Sequence, residues 1–428
     1  MNTISYPRLA ERFSETVLSN GLTVRVTCKP GFTKKYAFFA TDYGAIDTTF
    51  IQQGNRIVTP DGVAHYLEHK MFDLPDGNAM QQFSLCGASP NAFTGYSMTA
   101  YYFECTERFE ENLRLLLHMV TTPYFTEESV EKERGIIAQE IRMYEDSPGS
   151  RVYENLFAAL FQHHPIRVPI AGTVDSIQAI TPQILYRCHD TFYQPGNMML
   201  CVVGDVDPEM VAAIAEEQVP AGKVSLPRRD YGETETGPVQ SALVRDQMEV
   251  SMPLFSLGFR VPAPPRGPER LRTALMGDLA AELLVGESTP LYVRLYEAGL
   301  IDAGFSAGYE GIKGACLLSV SGDSRDPQAV RDAILQEADR IRRDGLDPKR
   351  YARLKKAMIG RRLLELDSFE SICCAMCESW FEGAEYYQFP DLYDTITLDE
   401  IARFLDESMR EDRMALSVVS PLEREETR

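Results

Sequence analysis

The 428-residue sequence lacks the features that mark several large classes of protein. It has no run of about 18 uncharged apolar residues, so no membrane-spanning helix is predicted. Its first residues lack the apolar core of a signal peptide, and we therefore expect a cytoplasmic location. Basic residues are outnumbered, with 43 Lys and Arg against 63 Asp and Glu and a formal net charge of −20. Because phosphate binding needs basic patches, we expect no nucleic-acid partner.

Cysteine is present, but it does not form the pattern of a disulfide framework. The nine Cys are an odd number and lie mostly in apolar stretches, which is typical of buried thiols in a reducing compartment. Cys374 and Cys377 form a C-x-x-C with Cys373 adjacent, yet no second pair or nearby His completes a zinc site. The helical periodicity of this segment favours a core helix instead.

Histidine is scarce, with six in the chain, and two of them stand four residues apart in His65-Tyr-Leu-Glu68-His69. Residues at this spacing lie one above the other on a helix, so both imidazoles can reach one metal ion. The order H-x-x-E-H reverses the H-E-x-x-H order of zinc-protease helices. A structural helix is the alternative, since a His on a helix is more often packed than bound to metal. The pattern therefore needs a third ligand.

The residues around this motif predict where its helix begins and which face it buries. Thr59 can cap the helix, Pro60 suits its first position and Asp61 faces the positive end of the helix dipole. An apolar stripe at four-residue spacing runs beside the polar one, and it consists of Val63, Leu67 and Met71. We therefore expect a helix from about residue 60 that packs on a core.

A second segment, residues 130–141, can supply the third ligand. Glu133 and Glu140 are seven residues apart, which places both on one face of a helix. One carboxylate can bind metal while the other orients a ligand imidazole. A solvated acidic face is the alternative interpretation of the same spacing.

An internal repeat indicates how the chain is organised. Residues 181–203 align without a gap to residues 397–419 at an offset of 216. The identical pairs are Ile180/Ile396, Thr181/Thr397, Arg187/Arg403, Asp190/Asp406, Met198/Met414, Leu200/Leu416, Val202/Val418 and Val203/Val419. Two unrelated helix–strand units are the alternative to a duplication.

The repeat predicts an α+β fold with two duplicated α/β-sandwich halves, each a mostly antiparallel sheet covered by helices. We expect an N-terminal zinc-binding half at residues 1–222, a linker at 223–240 and a degenerate C-terminal half at 241–428. At the same offset, the motif falls on Ala281, Leu284 and Val285, and the second half contains no His. The second half therefore cannot repeat the metal site.

Over essentially its whole length, the chain resembles the pitrilysin/insulinase family of inverted-zincin metallopeptidases. The strongest matches are the H-x-x-E-H motif, the stretch Gly-Ala-Ser-Pro-Asn-Ala-Phe-Thr at residues 87–94, and Glu133-x6-Glu140 before Asp-Ser-Pro at 146–148. The sequence looks most like the short bacterial members, in which two chains with one pair of halves each assemble into a chamber. Mitochondrial processing peptidase is the eukaryotic relative with that plan.

The resemblance implies a role for each residue of the metal site. It places one Zn²⁺ per chain on His65, His69 and Glu140, with Glu68 as the general base and Glu133 as a supporting acid. Zinc fits the ligand types as well. A zinc ion that polarises a peptide carbonyl beside a carboxylate that accepts a proton is the chemistry of peptide hydrolysis.

The resemblance also implies substrate-binding residues, and one of them is missing. Asn91 and Ala92 match the family's substrate-binding edge, where a peptide is expected to add as a strand, although Asn91 also fits a turn after Pro90. Arg294 matches an Arg that contacts substrate, but the Tyr expected seven residues later is Ile301. We infer that a second, zinc-free chain supplies the pair, and that this chain alone is a weak or inactive peptidase.

The predicted function is that of a zinc-dependent endopeptidase that hydrolyses short or unfolded peptides in a two-chain chamber. The partner is expected to be a second copy or a zinc-free paralogue, giving a homo- or heterodimer. The alternative is a non-catalytic scaffold or core subunit with the same fold.

Overall fold

A computed structural model describes residues 1–222 and 225–422. These residues form two compact units, each assembled from three stretches of chain. Unit 1 comprises Met1–Ile141, Pro169–Tyr231 and Leu363–Tyr387, and unit 2 comprises Arg142–Val168, Gly232–Arg362 and the residues from Gln388 onward. Residues 223 and 224 of the predicted linker, and residues 423–428 of the predicted second half, lie outside the described residues.

The strands are short and rich in β-branched and aromatic residues, as strand propensity requires. In chain order they are β1 (Asn2–Tyr6), β2 (Glu11–Val17), β3 (Thr23–Cys28), β4 (Lys35–Thr41), β5 (Thr49–Gln52), β6 (Asn55–Val58), β7 (Asp73–Leu74), β8 (Gly77–Asn78), β9 (Ala88–Thr94), β10 (Thr99–Cys105), β11 (Met198–Gly204), β12 (Arg228–Arg229), β13 (Leu243–Met248), β14 (Leu254–Val261), β15 (Ser306–Ile312), β16 (Ala315–Asp323) and β17 (Met414–Pro421).

The helices are mostly amphipathic, and many begin at a Ser, Thr or Asp cap followed by Pro. They are α1 (Val63–Lys70), α2 (Ala79–Leu85), α3 (Phe109–Thr121), α4 (Glu127–Glu145), α5 (Pro148–Leu160), α6 (Pro182–Phe192), α7 (Pro208–Gln218), α8 (Pro268–Val285), α9 (Pro290–Glu297), α10 (Pro327–Asp344), α11 (Pro348–Glu365), α12 (Phe369–Phe381), α13 (Phe389–Thr395) and α14 (Leu398–Ser408). Among the described residues, no helix is both long enough and apolar enough to cross a membrane.

Unit 1 is built on a seven-stranded sheet with the order β1-β2-β3-β11-β4-β10-β9. Only the pairing of β3 with β11 is parallel in this sheet. One face carries the main apolar core, which includes Val24, Phe39, Tyr101 and Leu200 and is covered by α1, α3 and α6. The central strand β11 is buried at every residue and is an almost continuous apolar run, Met-Met-Leu-Cys-Val-Val-Gly.

Unit 2 is built on a five-stranded sheet with the order β13-β17-β14-β16-β15. Its single parallel pairing, β13 with β17, and its antiparallel pairings repeat those of β3-β11-β4-β10-β9 strand for strand. The predicted α+β fold, with two halves that each hold a mostly antiparallel sheet, is therefore confirmed.

Two helices pack on a different sheet from the one that their position in the chain suggests. Helix α5, from the N-terminal half, packs on β14 and β17 of unit 2, whereas α12, from the C-terminal half, packs on β4 and β11 of unit 1. The compact units therefore differ from the contiguous ranges 1–222 and 241–428, and their boundary at Tyr231 lies inside the predicted linker. Cys373 and Cys377 are buried in α12, which confirms the predicted core helix.

Helix α1 begins later than predicted. Its N-cap is Gly62, whose φ of +89° lies in the left-handed region that favours glycine. A Cβ at this position would lie 2.4 Å from the carbonyl oxygen of Ala171, so the close approach also requires glycine. Thr59 donates its hydroxyl to the carbonyl of Thr48 instead of capping the helix. The predicted start at Thr59 and Pro60 is therefore wrong. The predicted apolar stripe is confirmed, since all three of its residues are buried.

Candidate metal centre

Helix α1 places two imidazoles on one face, as the four-residue spacing requires. The rings of His65 and His69 have centroids 4.7 Å apart, and His65 is 7% exposed. Between them, the side chain of Tyr66 turns inward and donates its hydroxyl to the carbonyl of Val130 on α4. This bond joins the two helices that carry the candidate ligands.

Helix α4 brings Glu140 to the two histidines. Its Oε2 lies 3.2 Å from Nε2 of His69, and its Oε1 lies 3.7 Å from Nε2 of His65. One ligand atom from each of these three residues falls within 4.8 Å of the others, an arrangement that could hold a metal ion. The buried residues Val130, Ile137 and Ile141 fix the orientation of the helix. The structure thus brings the three predicted ligands together.

Glu133 lies on the same face of α4 and orients one of the histidines. Its Oε1 is 2.9 Å from Nδ1 of His69, which leaves Nε2 of that ring directed at Glu140. A carboxylate bonded to the far nitrogen is the usual support for a metal-binding imidazole, because it fixes the ring and its tautomer. Burial lowers the pKa of His69, but the hydrogen bonds to Glu133 and Glu140 and the nearby Glu68 raise it, to about 10. The negative charge of these carboxylates, which favours a proton on His69, also favours a bound cation.

The polar atoms of His65 give a second indication that the residues fit a metal. Its Nδ1 is buried without a hydrogen-bond partner among the described residues, and its Nε2 is beyond hydrogen-bond distance of Glu140. A buried imidazole nitrogen without a hydrogen-bond partner is costly. Two imidazoles and a carboxylate with one open position are the ligand set of catalytic zinc sites. The donor set therefore fits zinc.

Glu68 lies beside the ligands and is held by a residue that the sequence analysis did not single out. The hydroxyl of Thr94, at the end of β9, donates to Oε2 of Glu68 at 2.7 Å. The strand alternation places Thr94 on the same face as Ala92, which packs against the core that supports α1. That period-two pattern is the signal that could have identified Thr94.

The two predicted substrate-binding residues of β9 face opposite sides of the sheet. Ala92 pairs with the core residue Tyr101, whereas Asn91 pairs with Tyr102 and is exposed. Oδ1 of Asn91 accepts a hydrogen bond from the backbone N–H of Ala92 at 2.9 Å. Since Asn91 lies inside a strand, the turn alternative is wrong. Strand β9 ends the order of strands in its sheet, so in the described part of the chain its outer edge has no partner strand.

Arg294 and Ile301 belong to unit 2. Arg294 lies on α9 with a side chain that is 60% exposed, and its Nη2 is 3.9 Å from Oε2 of Glu337. Ile301 follows the helix and is buried. The role predicted for Arg294 stays a prediction.

Comparison with known proteins identifies the family of the chain. Residues 48–174 match the family model described as insulinase (peptidase family M16), and residues 179–358 match the model described as peptidase M16 inactive domain. The uncharacterized zinc protease YmfH of Bacillus subtilis is 38% identical over 431 residues, covering 98% of this chain and 99% of that protein.

Solved structures give the same result. An M16-like peptidase from Alicyclobacillus acidocaldarius is 33% identical, with a TM-score of 0.93 over 98% of this chain and 100% of the other. A protease from Helicobacter pylori shares the fold, with a TM-score of 0.81 at 18% identity over 96% of this chain and 100% of the other. The resemblance expected from the motifs is confirmed, and the chain belongs to peptidase family M16, the insulinase family.

Proposed function

We propose that this protein is a zinc-dependent endopeptidase that hydrolyses short or unfolded peptides. The observation that carries the proposal is the convergence of His65, His69 and Glu140 beside Glu68 in unit 1. Membership of a family whose relatives are named zinc proteases supports it. One zinc ion per chain is the proposed cofactor.

Each residue of the centre has a distinct task in this proposal. His65, His69 and Glu140 would hold zinc, which when bound would supply a Lewis acid for the peptide carbonyl and for water. Glu68 accepts the proton of the attacking water and passes it to the amine that leaves. Glu133 holds Nδ1 of His69 and so keeps Nε2 of the ring turned toward Glu140, the third candidate ligand.

The free edge of β9 is the proposed binding site for the peptide. An extended chain can add to an exposed sheet edge through its backbone, and it then runs past the residues at the end of the strand. Strand addition requires an extended substrate, so short or unfolded peptides suit the site better than folded proteins. Asn91 and Ala92 belong to this edge strand, and we propose them and Arg294 as substrate contacts.

The proposal includes a second chain. Ile301 stands where the family carries a Tyr, and as a buried aliphatic residue it offers no hydrogen bond to a substrate. A zinc-free paralogue would supply the missing group, in a two-chain chamber that we propose to be cytoplasmic, whereas a second copy, the other candidate partner, carries the same Ile301. The competing hypothesis is a non-catalytic scaffold, which the incomplete Arg–Tyr pair favours.

Metal analysis combined with cleavage of a quenched peptide library separates the two hypotheses. The wild-type protein, Glu68→Gln and the control Glu128→Gln, an exposed residue at the start of α4, are compared with and without a co-expressed partner. We expect about one zinc in all three proteins and turnover in the wild type and the control alone. Bound zinc without cleavage by the wild type, with the partner present, would support the scaffold.

A further inference from the structure

We propose that Thr94 is a positioning residue that holds the carboxylate of Glu68 in the orientation needed to accept the proton of the attacking water. This inference rests on the proposed function and assigns a role to a residue outside the motif. It begins from one contact, in which the hydroxyl of Thr94 donates to Oε2 of Glu68 at 2.7 Å. A hydrogen bond to an ionised carboxylate is stronger and more directional than one between neutral groups.

The place of Thr94 in the fold suits this task. It is the last residue of β9, directly opposite Thr99 of β10, so the antiparallel pairing fixes its backbone. Its branched Cβ restricts rotation about χ1, and this restriction holds the hydroxyl in few orientations. Glu68 has several rotatable bonds on a helix of eight residues, and among the described residues Thr94 is its hydrogen-bond donor. A rigid strand therefore orients a flexible side chain.

The geometry divides the two carboxylate oxygens between two tasks. Oε2 accepts the hydroxyl of Thr94 with one lone pair, which leaves Oε1 with both of its lone pairs to take the proton from water. The same strand is the edge along which the peptide is proposed to bind, so one element sets both the substrate and the base. A misplaced base lowers the rate of proton transfer without changing how tightly the peptide binds.

Substitutions at Thr94 and at its cross-strand neighbour separate positioning from simple support of the strand. Thr94→Val keeps the shape and removes the donor, whereas Thr94→Ser keeps the donor and removes the methyl group. Thr99→Val is the matched control, since it removes the hydroxyl bond of Thr99 to the carbonyl of Tyr43 at the same register without touching Glu68.

Kinetics on a quenched peptide that the wild type cleaves give the first readout. Thr94→Val should lower kcat by roughly 10- to 100-fold, the size of a lost hydrogen bond to a charged group, with KM and zinc content unchanged. Thr94→Ser should recover most of that loss, and Thr99→Val should keep the wild-type kcat. In crystal structures, the carboxylate of Glu68 should be rotated away in Thr94→Val and ordered in Thr94→Ser.

The outcomes distinguish this proposal from the function on which it rests. An active wild type whose Thr94→Val variant keeps its kcat overturns the role of Thr94 alone. The role is also overturned if Thr99→Val loses as much kcat as Thr94→Val, since the effect then comes from the hairpin. A wild type that binds zinc and cleaves no peptide, with its partner present, refutes the proposed function and this role together.

Discussion

Five strands have the same order in the two sheets, but the sheets carry different helices at corresponding places in the chain. In unit 1, the first helix after β4 is α1, which follows the short strands β5 and β6 and has eight residues with a polar face of His65, Glu68 and His69. In unit 2, β14 is followed by α8, an 18-residue helix that packs on β15. At the offset of 216 residues, the motif corresponds to Ala281, Leu284 and Val285, and all three are buried.

The difference shows that the strand order of the sheet does not depend on the presence of metal ligands. Helix α8 lies so close to β15 that a Cβ on Gly277 would be 2.6 Å from the ring of Tyr309. Such close packing leaves no space for a side chain at Gly277. Unit 1 reaches the same strand order with a shorter helix, whose polar face carries His65, Glu68 and His69. The strand order therefore requires no metal ligand, and the helix decides whether a site exists.

The largest expected effect comes from removing a ligand in unit 1. Glu140→Gln should lower zinc occupancy from about one to a small fraction and reduce cleavage by more than about 100-fold, since even supporting residues of metal sites cost 10- to 100-fold. Elemental analysis and peptide cleavage measure the two effects. Helix α4 should persist, because its buried apolar face is unchanged.

Glu128→Gln serves as the matched control, since it changes the same charge on an exposed turn of the same helix. It should leave zinc and activity unchanged. Full zinc occupancy in Glu140→Gln would show that another residue completes the site, and the contrast between the two units would then need a different explanation.

The second prediction compares the same Leu-to-Ala substitution in the two sheets. Leu200 on β11 and Leu416 on β17 are identical in the repeat, and both are fully buried. Replacing either with Ala should cost about 2–5 kcal/mol of unfolding free energy, through lost burial and the cavity that remains. Leu200→Ala should also weaken zinc binding, because Leu200 belongs to the core that supports α1. Leu416→Ala should not.

Urea unfolding gives the free energies, and hydrogen exchange followed by mass spectrometry locates the loosened sheet. If Leu416→Ala lowered zinc affinity as much as Leu200→Ala, the two units would be energetically coupled at the metal centre. The metal centre would then not be independent of the sheet of unit 2.

The same contrast shows why some features were readable from the sequence and others were not. The candidate ligands lie on two helices, and the spacings of four residues in α1 and seven in α4 follow directly from helical geometry. The start of α1 was misplaced because Gly62 is fixed by the carbonyl of Ala171, far away in the chain. The residues around Gly62 in the sequence do not indicate such a contact.

The exchange of α5 and α12 between the sheets is a second feature that local patterns do not carry. Their periodicity indicates that each helix has an apolar face, but it does not specify which sheet that face covers. The repeat located corresponding segments such as Leu200 and Leu416, because identical residues in identical strands are visible in the sequence. The compact units, however, are defined by contacts in the folded chain, and the repeat does not predict which sheet each helix contacts.

The third prediction concerns how the segment between the halves is tied to unit 2. Glu235 accepts hydrogen bonds from the backbone N–H groups of Gln162, His163 and His164 and from Nη1 of Arg260. Glu235→Gln should lower the unfolding free energy by about 1.5–3 kcal/mol, the usual size for bonds to a charged group. Zinc content should be unchanged, since every partner of Glu235 lies in unit 2.

The contribution of Glu235 should depend on pH with a definite sign. Burial raises the pKa of Glu235, but the three backbone N–H groups and Arg260 lower it by a larger amount. The pKa of Glu235 is therefore lowered in the folded protein. The stabilisation is therefore present above the pKa of the unfolded chain and is lost as pH falls through the lower folded pKa. The difference between wild type and Glu235→Gln in urea titrations should shrink on acidification. A constant difference would contradict this assignment.

The smallest expected effect compares two helix caps at equivalent positions of the repeat. Thr181 caps α6 through a hydrogen bond from the backbone N–H of Ile184, whereas Thr397 caps α14 within a capping box in which Glu400 bonds back to the N–H of Thr397. Because Ile184 cannot return the bond, Thr181→Ala should cost about 0.5–1 kcal/mol and Thr397→Ala about 1–2 kcal/mol. Thermal unfolding of the two variants and of Glu400→Ala measures these costs. Equal costs at both positions would mean that the third residue of the helix adds nothing to the cap, so that the two halves differ here in sequence but not in energy.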